Sequence, residues 1–308
     1  MSHIYHAHSA NSQLDWRAEF TRLDGAYAEA TMRSYRADVE AFETWCHAEG
    51  VSTPFPTDPE TLCQFLDVQG QTKAHSTIQR RLCAIRLVHR LMGQPDPTGH
   101  ADVQLTLRRV RRQKPGRPSQ AKGLTKAYLD RFIAGQPDTP WGLRNRAMLA
   151  LGYELLTRRS ELVSLRTDDL ELRSDGTFRV LIRRSKVDQN GLGRTAFTSP
   201  NTARLVNEWL AWRGAEIQHL FCPIYHGCAV DRALDATIVK TIVKDAARQA
   251  GLDASEVAAF SGHSMRVGAA QDLLQRGVDT AAIMRAGGWK SVNILARYLE
   301  KAEHNVWA

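Results

Sequence analysis

Helical periodicity runs almost unbroken from about residue 16 to residue 112 and then stops. The stretch that ends it, RRVRRQKPGR at 108–117, carries six basic residues in ten and no acidic one. It leads into residues 118–123, where no apolar period of three to four survives. A chain of 308 residues interrupted there is expected to fold as two domains rather than one. These would span residues 16–112 and 124–308, with 113–123 as a basic linker and 1–15 as a short mobile arm. A basic run is by default a solvated face. Gathered at a domain junction, Arg108, Arg109, Arg111 and Arg112 are expected to track phosphates instead.

Each part has its own pattern. In the first, Tyr35, Val39, Phe42 and Cys46 recur at helical spacing behind Thr31, a candidate N-cap. Residues 50–59, GVSTPFPTDP, break the chain before a short helix at 60–69. The helix at 76–92 turns Ile78, Leu82, Ile85 and Val88 inward, which leaves Gln79, Arg80, Arg86 and Arg90 outward, as Arg33 and Arg36 are on the preceding long helix. In the second part, helices at 126–134 and 143–156 give way to period two. Phe178, Val180 and Ile182 alternate with Arg179 and Arg183, and Asn190–Gly191 is a hairpin turn signal. Helices resume from residue 201, where Lys240 and Lys244 lie opposite Val239, Val243 and Ala246. The fold class is mainly α, with one small antiparallel sheet in the C-terminal half.

Composition narrows the function classes. Lys and Arg outnumber Asp and Glu by 41 − 33 = 8, a surplus that favours a polyanionic partner. With 43% hydrophobic residues each domain can build a core, yet no apolar run approaches the roughly 20 residues that span a bilayer. The N-terminus lacks the basic-then-apolar layout of a secretory signal, so a cytoplasmic protein is expected. Five cysteines, odd in number and without metal-ligand spacing, read as reduced, mostly buried thiols. No metal or other cofactor is expected.

The chemistry concentrates in a few strings. His263 and Arg266, in SGHSMRVGAA, lie three apart and so share a helix face. Trp289 follows a Gly287–Gly288 break, Ser291 can cap a last helix, and Tyr298 sits on that helix. Upstream, Arg158 and Glu161 are also three apart, and Lys186 stands beside the hairpin turn. An aromatic hydroxyl, two guanidinium forks, a lysine, a histidine and an indole donor suit a phosphodiester. Two arginines can hold both non-bridging oxygens and stabilise pentacoordinate charge. A phenol is a weak nucleophile near neutral pH and needs a base beside it, which His263 can be. A lysine can protonate the departing oxygen.

On these residues the chain resembles the tyrosine recombinase (phage integrase) family, whose closing region matches SGHS-x-RVGAA and AGGW-x-x-VNI…Y, over most of the chain from about residue 25 to Tyr298. The resemblance implies a helical core-binding domain followed by a mostly helical catalytic domain, together gripping opposite faces of one duplex. It places the first arginine on Arg158, its acidic partner on Glu161, the hairpin lysine on Lys186, the His-x-x-Arg pair on His263 and Arg266, Trp289 where many relatives have histidine, and the nucleophile on Tyr298. It implies cleavage of double-stranded DNA through a 3′-phosphotyrosyl link. It also implies a homotetramer on inverted-repeat sites that exchanges strands through a four-way junction. Two departures stand out. The first arginine is usually preceded by a Gly-x pair, where this chain has Leu156-Thr157, and Arg159 remains an alternative to Arg158. Only ten residues follow Tyr298, so a C-terminal helix exchanged between subunits would be short.

Singly, each of these residues has a plainer reading. Tyr298 beside Ile294 and Leu295 is normally core packing, Trp289 a packing plug, Arg158–Glu161 a surface pair, Lys186 a solvated loop residue. It is their joint occurrence in order that favours catalysis. Two rival functions are a type IB topoisomerase, with the same chemistry but no synapsis, and a non-catalytic helix-turn-helix regulator built on residues 272–289.

Overall fold

The computed structural model describes residues 15–113, 120–183 and 193–302. The arm at 1–14, most of the basic stretch beyond Gln113, Lys186 with the Asn190–Gly191 turn, and residues 303–308 lie outside them. The chain divides into two compact units, residues 1–118 and 119–308.

The first unit is all helical: α1 (Trp16–Thr21), α2 (Glu29–Ala48), α3 (Pro59–Thr72), α4 (His75–Leu91) and α5 (Ala101–Gln113). Asp15 caps α1 and Asp58, followed by Pro59 at the first helical position, caps α3, as orphan N-terminal amides require. Thr31 does not cap α2: the helix starts two residues earlier, after Ala28, and the Thr31 amide is already bonded to the Ala28 carbonyl. Phe42, Phe65, Leu66, Ile78, Ile85 and Val103 are fully buried in one core. Arg108, Arg109, Arg111 and Arg112 occupy the last turns of α5 and are exposed, opposite buried Val103, Thr106 and Val110. The start of the basic run is therefore ordered helix, held down by an apolar stripe.

The second unit opens with α6 (Lys126–Ala134), α7 (Pro140–Glu154) and α8 (Arg159–Val163). Strands β1 (Leu170–Leu172), β2 (Phe178–Ile182) and β3 (Arg194–Phe197) form an antiparallel sheet in that order, with Val180 opposite Leu170 and Ala196. The period of two appears in β2 as strict alternation of buried and exposed residues. β1 and the short hairpin β4 (Ile224–Tyr225) and β5 (Cys228–Ala229) have no such signal, being two or three residues long. Helices α9 (Pro200–Arg213), α10 (Ile238–Gln249), α11 (Ala254–Ala259), α12 (Ser264–Gln275), α13 (Thr280–Gly287) and α14 (Val292–Leu299) complete the unit. Trp209, Phe132, Phe221 and Phe260 lie fully or almost fully buried in its core.

Helix α12 is the axle of this unit. Every residue from Ser264 to Asp272 is buried, so this helix belongs to the core of the unit. Buried Asp272 accepts hydrogen bonds from the Tyr153 hydroxyl at 2.5 Å and the Lys126 amide at 2.6 Å, tying α7 and the start of α6 to α12. The result is a mainly α protein of two domains, with its small sheet in the second. Among the described residues no helix is long and apolar enough to cross a membrane. Cys46 and Cys222 are buried and Cys63 partly so, but Cys83 and Cys228 are exposed, so the expectation of mostly buried thiols is too broad.

Candidate active site

The site is assembled at helix ends. Helix α7 ends at Glu154, and the chain reverses through Leu156, whose φ of +48° is in the left-handed region that favours glycine. Arg158 follows as the N-cap residue of α8. Glu161, 2% exposed, takes the Arg158 amide at 3.0 Å and its guanidinium at 2.5 Å. One carboxylate thus serves as the returning half of a capping arrangement and as the clamp on the arginine side chain. Arg159, by contrast, is exposed. It is Arg158 that turns inward.

Two residues of α12 and its cap, His263 and Arg266, face the same point. His263 is the N-cap residue of α12, and its Nε2 lies 3.2 Å from the Tyr298 hydroxyl. Arg266 is fully buried and donates to the carbonyls of Leu156 and, at 2.8 Å, Gly287. Its guanidinium lies 3.9 Å from the centre of the Trp289 ring, a cation–π contact, and Trp289 meets Tyr298 edge-on at 5.1 Å. Helix α13 is stopped by Gly288 in the left-handed conformation, with the Trp289 amide bonded back to Met284. The indole folds over Gly287, where a Cβ would lie 1.9 Å from the ring. Tyr298 is carried by α14, and its carbonyl accepts from Gln120 and Gln271, each at 3.2 Å. Ser291 occupies the N-cap position of α14, but its hydroxyl caps nothing.

Electrostatics follow from this crowding. The protein around His263, and then the charges of Arg266, Arg158 and Arg159, hold its pKa below the ordinary 6.5. The imidazole is neutral at neutral pH, and in the tautomer with Nε2 unprotonated it accepts from the phenol. Burial, and then Arg158, press Arg266 down to about 10, which leaves it cationic. The Nε of Arg266 and the indole N–H of Trp289 are buried donors without a partner among the described residues. Buried donors are normally satisfied, and both belong to side chains packed against the Tyr298 ring. A site of two guanidinium groups, an indole donor, a neutral imidazole and a phenol is fitted to an anion that carries its own acceptors.

The spatial gathering covers Arg158, Glu161, His263, Arg266, Trp289 and Tyr298; Lys186 is outside the described residues. Sequence reasoning missed Arg194. This first residue of β3 has a largely buried side chain that bonds to the Ala286 carbonyl at 2.5 Å and the Leu155 carbonyl at 2.8 Å, and it stands 3.6 Å from Glu161. An arginine opening a strand carries no signal of that in the sequence.

The outward stripes differ in what they offer. Arg33, Arg36, Gln79 and Arg90 are exposed. Arg80 is engaged on buried Asp38, through Nε at 2.6 Å and the terminal nitrogen at 3.0 Å. Arg86 is held by Asp96 at 3.1 Å and Thr98 at 2.9 Å, and Arg109 bonds to Thr106 at 2.8 Å. Lys240 and Lys244 line a cleft of about 960 Å³ in the second unit, together with Lys122, Lys126 and Lys301.

The phage integrase family model matches residues 122–305, and the family's N-terminal SAM-like domain matches residues 18–92. The chain belongs to the phage integrase family. Recombinase cre of Escherichia phage P1 is 29% identical over 303 residues, covering 92% of this chain and 87% of the relative. Tyrosine recombinase XerD of Lacticaseibacillus casei is 26% identical over 299 residues, covering 93% and 92%. The fold is shared with the XerH site-specific recombinase bound to a palindromic difH substrate, at a TM-score of 0.69 and 18% identity over 95% of this chain and 82% of that one. Family and relatives together make this protein a tyrosine-type site-specific DNA recombinase; relaxation without synapsis and regulation without catalysis are not favoured.

Proposed function

We propose that Tyr298 attacks the scissile phosphate of a DNA duplex, giving a 3′-phosphotyrosyl link and a free 5′-hydroxyl. Arg158 and Arg266 hold the non-bridging oxygens, and Glu161 keeps Arg158 in place. His263 takes the tyrosine proton, and Trp289 donates its N–H to the phosphate or packs beneath it. Lys186, in the segment joining β2 to β3, protonates the leaving 5′ oxygen. The ester conserves bond energy, so rejoining needs no nucleotide and no metal.

The observation that carries this reading is the Tyr298 hydroxyl 3.2 Å from a histidine held neutral by its surroundings, beside a fully buried arginine. The DNA target is read as an inverted repeat, as in the palindromic substrate of XerH, and the acting form as a homotetramer that exchanges strands through a four-way junction in the cytoplasm. Arg33, Arg36, Gln79, Arg90, Arg108, Arg109, Arg111, Arg112, Lys240 and Lys244 are assigned to DNA; Arg80 and Arg86 would join them only on release from their carboxylates.

Tyr298→Phe removes one oxygen and keeps the ring against Trp289. On a nicked suicide substrate it is expected to bind DNA with unchanged affinity and form no covalent adduct. An adduct formed by the Phe variant would show that another residue is the nucleophile.

A further inference from the structure

Arg194 is a largely buried cation although no step of the reaction uses it. Burial first, and then the charge of Arg158, hold its pKa below the ordinary arginine value, so the fold carries this cation at a cost and must recover it through contacts. Those contacts all lie in the wall of the catalytic site. One terminal nitrogen donates to the Ala286 carbonyl in the last turn of α13. The other reaches the Leu155 carbonyl just past α7, the Leu156 carbonyl at 3.4 Å, and Oε2 of Glu161. Arg266 spans the same two helix ends one residue further on, through Leu156 and Gly287. Two arginines from different elements therefore staple the carboxyl end of α7 to that of α13. Carbonyls at a helix C-terminus have no intrahelical partner and carry the negative end of the helix dipole, so each guanidinium has a natural seat there.

Glu161 is the one carboxylate in contact with these cations among the described residues, and it is shared. Its Oε1 holds Arg158 at 2.5 Å, and its Oε2 faces Arg194 at 3.6 Å while accepting the Arg158 amide. Without Arg194 the whole charge of Glu161 would fall to Arg158, the group that must turn its remaining donors to a phosphate. We propose that Arg194 is a positioning residue of the recombinase: it sets the spacing of the helix ends that aim Arg266 and shares Glu161 so that Arg158 stays available to the scissile phosphate. This rests on the function proposed above.

The test is single-turnover cleavage by Arg194→Met and Arg194→Lys, with DNA affinity and Tm measured alongside. Two suicide substrates are compared, one with the natural phosphate and one with an uncharged methylphosphonate at the scissile position. On the natural substrate Arg194→Met is expected to cleave about a hundredfold more slowly than the parent, the scale of an ångström's misplacement, with DNA affinity unchanged. Arg194→Lys keeps the charge but cannot reach all the acceptors with one ammonium, and should fall between the two. On the methylphosphonate, where an anionic oxygen no longer needs clamping, the deficit of either variant should shrink to about threefold or less. Equal deficits on both substrates would make Arg194 a merely structural residue and overturn the proposal, as would full activity of Arg194→Met or a loss explained by DNA binding. Should Arg194→Met not fold, the lysine variant carries the same comparison. Failure of the parent itself to form the Tyr298 adduct would instead strike the function proposed above.

Discussion

At the residue scale the proposed mechanism makes one histidine a base and two arginines a clamp. His263 needs no special ligand for this; the protein packed on it, and then three nearby cations, disfavour its charged form. The sign follows directly. Because the pKa is depressed, the neutral form persists as pH falls to the ordinary value of 6.5 and is lost only below it. Single-turnover cleavage is therefore expected to be flat through neutrality and to drop on an acid limb lying below that value. In His263→Gln, which keeps an acceptor but cannot titrate, the rate should fall by about a hundredfold or more and this limb should vanish from the pH–rate profile. An unchanged limb would assign it to another group. Leu156 shows a different balance. Its left-handed backbone costs about 1–2 kcal/mol, but the side chain is 3% exposed, and burying a leucine returns about 1.5–3 kcal/mol. Packing thus offsets the strain that glycine would avoid.

At the element scale the catalytic geometry is a property of helix ends. The carboxyl ends of α7 and α13, the amino ends of α8 and α12, and the helix bearing Tyr298 meet around Arg266. Gly287 is the tightest joint among them. A methyl group there would overlap the Trp289 ring at 1.9 Å, and the indole can give way only by moving from beneath Arg266 or from the edge of Tyr298. Gly287→Ala is expected to slow cleavage by about a hundredfold while leaving DNA affinity unchanged. Full activity would show that Trp289 can be displaced without consequence, reducing it to a packing residue.

At the scale of the whole molecule, a net charge of +8 meets a duplex whose phosphates release counterions when neutralised. Part of the cationic surface is already committed internally, as Arg80 and Arg86 show, whereas Arg111 and Arg112 are exposed at the end of α5. DNA binding should weaken steeply with salt. Replacing Arg109, Arg111 and Arg112 together by Gln should flatten the log–log slope by about 0.9 for each phosphate that is no longer neutralised. A slope equal to the parent's in filter-binding or anisotropy titrations would mean that this end of α5 does not touch the backbone.

Much of this is legible in the sequence, and the boundary has a physical basis. Local chemistry is written in local spacing. Arg158 and Glu161, or His263 and Arg266, three apart in helix-forming sequence, must share a face, and the alternation in β2 must present one apolar side. The order of the reactive residue types identified the family, and the apolar periods outlined the helices. What the sequence could not state is which charges are buried and which are already paired, because both depend on segments that meet only in the folded chain. Periodicity marked Arg80 as outward, but not that Asp38 on a neighbouring helix neutralises it, 42 residues away. Arg194 looks like any basic residue opening a strand. It becomes part of the catalytic wall only because the fold brings Leu155, 39 residues before it, and Ala286, 92 residues after it, to the two ends of one guanidinium. Burial and charge pairing are sums over distant neighbours, so they were decided by the tertiary structure alone.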